Sequence, residues 1–232
     1  QVDQHGLRCI GGNHILHFPI TKALGTELTV GIWEQIGNKR GFSSSDAAGQ
    51  AALLTAAARN VGGAGGAEWA VSGGSVGLLA MDIAGNATSC VLTMNRPFGR
   101  GVTAGETGII QAAPAIAGTG LNIAPVVMAN HNVSQAYLAA TAAGDRYAGV
   151  ALASTLMHLV DGKVPPEEAL AKPRYAPGVG AVDVLIEQSR SQKTRGELVR
   201  KGLQMIARES IGRVNLMYCD RGIVIRPANC VV

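Results

Sequence analysis

Two glycines and a serine, Gly73-Gly74-Ser75, run directly into a stretch of small and apolar residues from Val76 to Met81. The turn Ala84-Gly85-Asn86 and a second strand-like run, Ala87 to Met94, follow at once. Two runs of β-forming residues on either side of a glycine-containing turn predict a β-hairpin. The chain therefore carries a hydroxyl side chain at the start of a predicted strand, and this feature limits the folds and the chemistry that are possible for it.

A serine in this setting suits a chain that cuts itself immediately before its own nucleophile. Cleavage between Gly74 and Ser75 would free an α-amino group, and that amine would act as the base for the Ser75 hydroxyl. The sequence then predicts an amide-bond hydrolase or an acyl transferase. Ser72 is a second candidate for the same role. The alternative is that Ser75 is only a loop residue of an α/β domain with no evident chemistry.

Composition supports one large domain or two small ones and argues against several classes of protein. Of the 232 residues, 47% are hydrophobic and 16% are charged, so the chain can bury a substantial core. Basic residues between Arg190 and Arg213 are interleaved with acidic ones, which is typical of a solvated helix face. We expect no nucleic-acid partner and, without a run of about eighteen apolar residues, no membrane span.

The sequence offers no motif for a metal or a nucleotide. The four cysteines have spacings that match no zinc or redox motif. His14 and His17 lack a third ligand at a suitable spacing, and Gly62 to Gly66 lacks the Lys-Ser/Thr of a P-loop. We therefore expect neither a metal site nor a cofactor.

Local patterns predict two antiparallel-rich sheets that pack together and are covered by helices. A glycine-rich linker at residues 60–74 divides the chain into an N-terminal and a C-terminal piece. The predicted helices are His14 to Leu24 with an interruption near Pro19, Ala47 to Arg59 behind the capping cluster Ser43 to Asp46, Tyr147 to Val160, a short helix opened by Pro166, and Thr194 to Arg208. Beyond the hairpin, the predicted strands are Ala124 to Asn130, Gln135 to Thr141, Val182 to Glu187, and a closing pair, Asn215 to Cys219 and Gly222 to Arg226.

The ordered motifs of the C-terminal piece resemble the small subunit of the γ-glutamyltranspeptidase (glutathione hydrolase) family. These motifs are, in chain order, Ser75 to Asn86, Leu92 to Asn95, Phe98 to Gly101, and Gly105 to Ile109. Further similar segments are Ala143-Gly144, Glu167 to Tyr175, and Gly11 to Ile15, the last of which resembles a segment late in the family's large subunit. The resemblance covers nearly the whole chain in order.

The resemblance implies an α+β fold, the four-layer αββα sandwich of N-terminal-nucleophile hydrolases. It assigns residues 1–74 to the tail of a large-subunit-like region with a glycine-rich linker, and residues 75–232 to a small-subunit-like catalytic region. A separate large-subunit chain or a missing upstream segment would complete the molecule, and the chain begins at Gln1 as though an upstream portion had been removed. The family suggests a periplasmic or secreted location, while a cytoplasmic one stays open.

The resemblance also implies roles for single residues. Ser75 takes the place of the family's nucleophilic threonine, and autoproteolysis after Gly74 would convert a zymogen into an enzyme of the glutathione-metabolism type. Thr93 and Asn95 stand two residues apart and are expected on one face of their strand. The family uses these two positions to hydrogen-bond the nucleophile and to support the substrate.

Other positions of the resemblance concern the substrate. Ala143 and Gly144 would offer backbone N–H groups to a developing oxyanion. The family's acidic pair is replaced by Ile109 to Pro114, which holds no carboxylate, and its Ser-Ser pair by Leu121-Asn122, which leaves Asn122 as the candidate substrate-binding residue. We therefore predict an acyl-transfer enzyme for a small amide or peptide other than a standard γ-glutamyl compound. The alternative is a catalytically inactive homologue kept as a structural or assembly subunit.

Overall fold

A computed structural model of the chain describes residues 5–9, 14–19, 24–37, 41–62, 74–114, 123–130, 132–143, 146–187, 192–219 and 230–231. Helices and strands mix along this part of the chain, so the fold class is α+β. The helices are α1 (Leu24–Ile36), α2 (Gly41–Ser44), α3 (Ala47–Gly62), α4 (Ala148–Val160), α5 (Pro166–Ala171) and α6 (Gln192–Arg200). The strands are β1 (His5–Cys9), β2 (His14–Pro19), β3 (Ser75–Met81), β4 (Ala87–Thr93), β5 (Ala124–Asn130), β6 (Gln135–Ala143), β7 (Tyr175–Pro177), β8 (Asp183–Glu187), β9 (Gln204–Arg208), β10 (Arg213–Cys219) and β11 (Cys230–Val231).

The largest sheet is antiparallel and has the strand order β1-β2-β5-β6-β10-β11. Its strand β6 is buried along almost its whole length. Leu138, Ala140 and Ala142 join the hydrophobic core, while the intervening Thr141 meets the β3–β4 hairpin. A strand that is covered on both faces reads as a nearly continuous run of small and apolar residues, as β6 does.

Helices α1 and α4 pack against each other beside this sheet. A Cβ at Gly149 would lie 2.2 Å from the carbonyl oxygen of Gly25, so only glycine permits this approach of the two helices. Thr29 Oγ1 donates to the Gly149 carbonyl at 3.0 Å across the contact. Leu28 of α1 and Leu152 of α4 belong to one buried cluster, so the elements before and after the glycine-rich linker share a core.

The β3–β4 hairpin forms a second sheet, which packs on the opposite side of β6 from the helices. Side chains alternate strictly between half-buried and exposed along both strands. Asn215 Nδ2 donates to the Gly77 carbonyl at 3.2 Å, and Ser89 Oγ donates to the Ala140 carbonyl at 2.7 Å. The described residues therefore form three layers, helices, sheet and hairpin, and the fourth layer of the predicted sandwich stays a prediction.

Asp82 holds the turn of the hairpin, as the sequence indicates. Its carboxylate accepts from Asn86 Nδ2 at 2.7 Å and from the backbone N–H groups of Ala84 and Asn86, both at 2.9 Å. These hydrogen bonds, the one from the Asn86 side chain first, lower the pKa of Asp82 below its usual value.

A third, small sheet has the strand order β7-β8-β9. One buried carboxylate, that of Glu187, anchors it. The Arg174 guanidinium donates two parallel hydrogen bonds to the Glu187 carboxylate, with N–O distances of 2.6 and 2.7 Å. Glu187 also accepts from the Ile211 backbone N–H at 3.1 Å. A bidentate ion pair of this kind fixes the relative position of two strand ends. No helix in the part of the chain that the structure describes is long and apolar enough to cross a membrane.

Several local predictions are confirmed. The hairpin, β5, β6 and β10 lie where the patterns indicate, and the alanine-rich helix runs from Ala47 to Gly62. Asp46 caps that helix by accepting from the Gly49 N–H at 2.7 Å. Pro166 stands at the first position of α5, and α4 also matches its prediction. The linker predicted at residues 60–74 begins too early, because helix α3 continues through Gly62. Residues 63–73 of that linker and the second strand of the closing pair, Gly222 to Arg226, lie outside the described residues.

Two helix predictions are wrong. The segment predicted as a helix from residue 14 to 24 contains β2, because pairing with β1 and β5 on both sides decides its conformation. The predicted helix 194–208 ends at Arg200 and is followed by strand β9. Gly202 has φ +72°, and the N–H groups of Gly202 and Leu203 return to the carbonyls of Val199 and Leu198. This left-handed glycine stop ends the helix.

Candidate active site

Ser75 and Thr93 face each other across the open end of the hairpin. They are register partners of β3 and β4, and the Ser75 hydroxyl donates to Thr93 Oγ1 at 2.9 Å. Both side chains lie on the half-buried face, while their neighbours Val76 and Leu92 are exposed on the other. The hairpin thus places a nucleophile candidate and a second hydroxyl in direct contact, on the side that faces the large sheet.

Asn95 contacts this pair through its backbone N–H, and it lies beyond the end of the strand on which the sequence places it. Strand β4 ends at Thr93, so the expectation that Thr93 and Asn95 share one strand face is wrong. Asn95 has φ +60°, which turns the chain, and its backbone N–H donates to Thr93 Oγ1 at 3.0 Å. Its side-chain amide donates to the Ala113 carbonyl at 2.6 Å. Asn95 therefore links the hydroxyl pair to the segment around Ala113.

The Gly74 carbonyl, which belongs to the predicted scissile bond, is held by a backbone hydrogen bond. Gly74 has φ +67°, and its oxygen accepts from the Met94 N–H at 2.9 Å. Met94 in turn accepts from the Ala113 N–H at 3.0 Å. Sequence reasoning missed Met94 and Ala113, because contacts between backbone atoms leave no signal in residue type. The arrangement polarises the carbonyl that Ser75 would have to attack.

Residues 99–111 form an irregular hairpin, here called the arm, that extends from the end of β4. Gly99 is required at its base, since a Cβ there would lie 2.1 Å from the Gln111 carbonyl oxygen. The Arg100 N–H donates to that same oxygen at 2.9 Å, and Arg100 Nη1 donates to Gln111 Oε1 at 3.3 Å. Glu106 lies in the 3₁₀ turn at the tip of the arm. The charged residue held at the base is thus an arginine.

The remaining predicted site residues are placed only in part. Gly77 touches Thr141, and the Gly85 carbonyl accepts from the Ala136 N–H at 2.9 Å, so β3 and β6 run in opposite directions. The buried Ala143, which ends β6, therefore lies toward the Ser75 end of the hairpin. Gly144 and Asn122 lie outside the described residues.

A cavity of about 340 Å³ lies beside β3, between residues 77–79, residues 214–217 of β10, and Leu170 of α5. Gly77 follows Ser75 by two residues and so shares its strand face, about 7 Å along the strand. The lining is mostly apolar, with the Asn215 amide as a polar group. Among the described residues, no group of three His, Cys, Asp or Glu side chains is placed to hold a metal ion.

Comparison with known proteins places this site on a known fold. No family model and no curated protein sequence matches the chain. A mutant γ-glutamyltranspeptidase of Helicobacter pylori superposes with a TM-score of 0.54 and 16% identity, over 67% of this chain and 94% of that one. An acivicin-inhibited γ-glutamyltranspeptidase gives 0.54 and 15% identity, over 67% of this chain and 93% of that one. The cephalosporin acylase from Bacillus halodurans gives 0.73 and 17% identity, over 98% of this chain.

The chain has the fold of the γ-glutamyltranspeptidases. The resemblance seen in the ordered motifs is therefore confirmed by solved structures at the level of the fold. The chain spans 52% of the length of the acylase, so about half of that protein has no counterpart here.

Proposed function

We propose that the chain is a γ-glutamyltranspeptidase-like amide hydrolase or acyltransferase that cuts itself between Gly74 and Ser75 and then uses Ser75 as an N-terminal nucleophile. The observation that carries the proposal is the 2.9 Å hydrogen bond between the Ser75 and Thr93 hydroxyls at the start of β3. The acivicin-inhibited neighbour, which has this fold, undergoes autoprocessing, with a critical role for its C-terminus. A shared fold supports the general kind of reaction.

Self-cleavage begins with attack of Ser75 Oγ on the carbonyl carbon of Gly74. The negative charge that develops on the Gly74 oxygen is stabilised by the Met94 N–H, which already lies 2.9 Å away. The Gly74–Ser75 amide bond breaks, and the Gly74 acyl group moves to Ser75 Oγ as an ester. The proton of the Ser75 hydroxyl, which is hydrogen-bonded to Thr93 Oγ1, passes to the leaving nitrogen and makes it the α-amino group of Ser75. Water then hydrolyses this ester, which leaves a carboxylate on Gly74 and a free α-amino group on Ser75.

Turnover repeats the same acyl chemistry on a substrate. The freed amine takes the proton of the Ser75 hydroxyl as the oxygen attacks the substrate carbonyl. The substrate amide bond breaks, its amine leaves with a proton, and the acyl group remains on Ser75 as an ester until water or an acceptor amine removes it. Ala143 and Gly144 supply backbone N–H groups to the oxyanion in this scheme, since β6 ends toward Ser75.

The substrate in this proposal is a small amide or peptide other than a standard γ-glutamyl compound. A γ-glutamyl head group carries an ammonium ion, and the segment Ile109 to Pro114 beside Asn95 offers it no carboxylate. Asn122 remains the proposed substrate-binding residue, by resemblance alone. The absence of an ammonium partner in this segment is the reason to look beyond γ-glutamate.

A partner polypeptide, either a large-subunit-like chain or an upstream segment, belongs to the proposal. The outer face of the hairpin leaves Val76, Leu78 and Leu92 between 52% and 54% exposed. Val76 and Leu92 are cross-strand partners, and Leu78 faces Cys90, so these side chains form a continuous apolar strip. Such a strip favours contact with another polypeptide layer. The half of the acylase chain that has no counterpart here would supply such a layer.

The same strip favours the second candidate function, a catalytically inactive subunit that acts through assembly. Substitution separates the two functions. Ser75→Ala abolishes both chain cleavage and amide hydrolysis if Ser75 is the nucleophile, whereas Ser72→Ala, the matched control, leaves both intact. Cleavage or hydrolysis that survives Ser75→Ala refutes the assignment. An uncut wild-type chain in mature material, without hydrolysis of any amide, supports the assembly role.

A further inference from the structure

Strand β10 of the large sheet packs against β3 of the hairpin and runs in the same direction. Asn215 Nδ2 donates to the Gly77 carbonyl at 3.2 Å, and Cys219 Sγ lies 3.8 Å from Met81 Sδ. The two members of each pair are 138 residues apart in the sequence, so the strands keep one register between these two points.

The same register, extended by two residues toward the start of both strands, places Arg213 opposite Ser75. Side chains alternate along a strand, so Arg213 leaves β10 on the face from which Asn215 reaches the hairpin. Ser75 likewise shares the inward face of β3 with Gly77. The Asn215 side chain is long enough to contact the main chain of β3, and an arginine side chain is longer. The backbone nitrogen of Ser75 is therefore within reach of the Arg213 guanidinium.

The pairing of β10 with β6 gives the same position for Arg213. Arg213 pairs with Ala143, the last residue of β6, and Asn215 pairs with Thr141. A Cβ at Gly77 would meet both members of this second pair, since it would lie 2.0 Å from Thr141 Oγ1 and 3.2 Å from Asn215 Nδ2. The pair of Arg213 and Ala143 therefore lies two residues further toward the start of β3.

The charged groups at this end of the hairpin are mainly arginines. Arg213 is exposed, and no carboxylate among the described residues forms an ion pair with it. The other titratable or charged residues on the described segments that lead to this end are Arg96, Arg100 and Glu106 after β4, Arg146 and Tyr147 after β6, and Arg208 and Glu209 before β10. Glu68 and Asp145, which are also near Ser75 or Ala143 in the sequence, lie outside the described residues.

A fixed positive charge beside an amine disfavours the protonated form of that amine, because the two like charges repel each other. An arginine side chain stays charged throughout the pH range in which an enzyme works. Only the unprotonated α-amine can take the proton of the Ser75 hydroxyl. A cation opposite Ser75 therefore extends the proposed reaction to lower pH.

We propose that Arg213 is a positioning residue whose charge keeps the α-amine of Ser75 in its free-base form after the Gly74–Ser75 bond is cut. This inference rests on the proposed function, because the amine exists only after self-cleavage. Arg213 acts through the amine in this account and takes no part in the bond-making steps.

The pH profile of kcat/KM tests the inference, with butyryl-4-nitroanilide as a substrate that has no titrating group of its own. Arg213→Gln should move the acid limb to higher pH by about 0.5–1.5 pH units, the effect of two unit charges about 7 Å apart at an effective dielectric constant of about 20–80. Arg213→Lys keeps the charge and should keep the acid limb close to that of the wild type. Arg195→Gln removes an exposed arginine of α6, which packs on α3 and β9, and is the matched control that leaves the limb in place.

Salt gives a second electrostatic readout. The screening length falls from about 10 Å at 0.1 M to about 3 Å at 1 M ionic strength. The acid limb of the wild type should therefore move toward that of Arg213→Gln in 1 M sodium chloride, while the limb of Arg213→Gln moves less. A limb that responds equally to salt in both proteins contradicts the role of the Arg213 charge.

Labelling of the amine separates failure of this inference from failure of the proposed function. The rate at which acetic anhydride acetylates the fragment that begins at Ser75, followed by mass spectrometry against pH, should show the same move to higher pH in Arg213→Gln. An unchanged midpoint, an equal move in Arg213→Lys, or a fall of kcat/KM by one factor at every pH overturns the role of Arg213 alone. If the chain is cut but does not hydrolyse the anilide, the labelling midpoints still decide that role. An uncut chain overturns the proposed function, and the role of Arg213 falls with it because no amine is present.

Discussion

Substitution of Gly77 by alanine should displace the hairpin that carries Ser75. Gly77 lies where β3 crosses β6, and a Cβ there would be 2.0 Å from Thr141 Oγ1 and 2.7 Å from Thr141 Cβ. Ordinary contact begins near 3.4 Å, so the two strands must separate by about 0.7 Å to relieve the Thr141 Cβ contact, and by more than an ångström if Thr141 Oγ1 keeps its position. The clash involves a β-branched side chain whose Cβ cannot rotate away.

The expected magnitudes follow from this geometry. Overpacking of a close-packed interior costs about 1–3 kcal/mol of unfolding free energy, and each kcal/mol lowers the melting temperature by about 2–4 °C in a chain of this size. An ångström of displacement at a reacting group can reduce a rate by about 100-fold. We therefore expect Gly77→Ala to remain folded at room temperature but to cut itself and hydrolyse amides far more slowly.

The assay combines thermal unfolding with the rate of chain cleavage, followed by mass spectrometry. Gly196→Ala is the matched control, because a Cβ there meets nothing within 4 Å and alanine favours helix α6. Thr141→Ala in the Gly77→Ala background should restore only part of the loss, since Thr141 Cβ remains too close. Gly77→Ala with an unchanged melting temperature and cleavage rate would refute the packing described here.

Two further predictions concern Thr93 and His158. Thr93→Val keeps the shape but leaves the Asn95 N–H without its acceptor, so we expect about 1–3 kcal/mol of destabilisation and much slower cleavage, while Thr93→Ser, which keeps the hydroxyl, should cleave at close to the normal rate. His158 is buried against Phe42, and burial, with the nearby Lys172, lowers its pKa to about 4. The unfolded chain binds this proton already near pH 6.5, so stability falls from about pH 6.5 to pH 4, by about 3 kcal/mol in total. Denaturant unfolding at pH 7 and pH 4.5 should show this loss in the wild type and a much smaller one in His158→Leu; equal losses would contradict the assignment.

The hairpin was predictable because its signals are local. A turn with Gly85 and Asp82 lies between two short runs of β-forming residues, and the register that pairs Ser75 with Thr93 follows from that turn. Strand β2 was not predictable in the same way, since its partner β5 lies more than a hundred residues further along the chain. The end of helix α6 before β9 does have a local signal, because Lys201-Gly202 interrupts the helical pattern and Gly202 ends the helix.

The same contrast between local and long-range signals applies to the candidate site. The sequence predicts Ser75 and Thr93 as candidates, and the structure joins their hydroxyls. The contacts of Met94 with Gly74 and Ala113 involve only backbone atoms, and no residue pattern reports them. Asn95 was identified with the wrong geometry, because its left-handed φ could not be inferred from an Asn at the end of a strand. The features of the candidate site that could not be predicted from the sequence are therefore long-range contacts and unusual backbone angles.

The identity of the residue that begins the C-terminal fragment tests the central claim most directly. Intact-mass measurement and N-terminal sequencing of mature protein should show two fragments separated between Gly74 and Ser75, with Ser75 as the first residue of the second. Ser75→Ala should give a single uncut chain. A mature chain that hydrolyses amides while uncut, or a fragment that begins at another residue, would contradict the account, because an internal Ser75 has no free amine to act as its base.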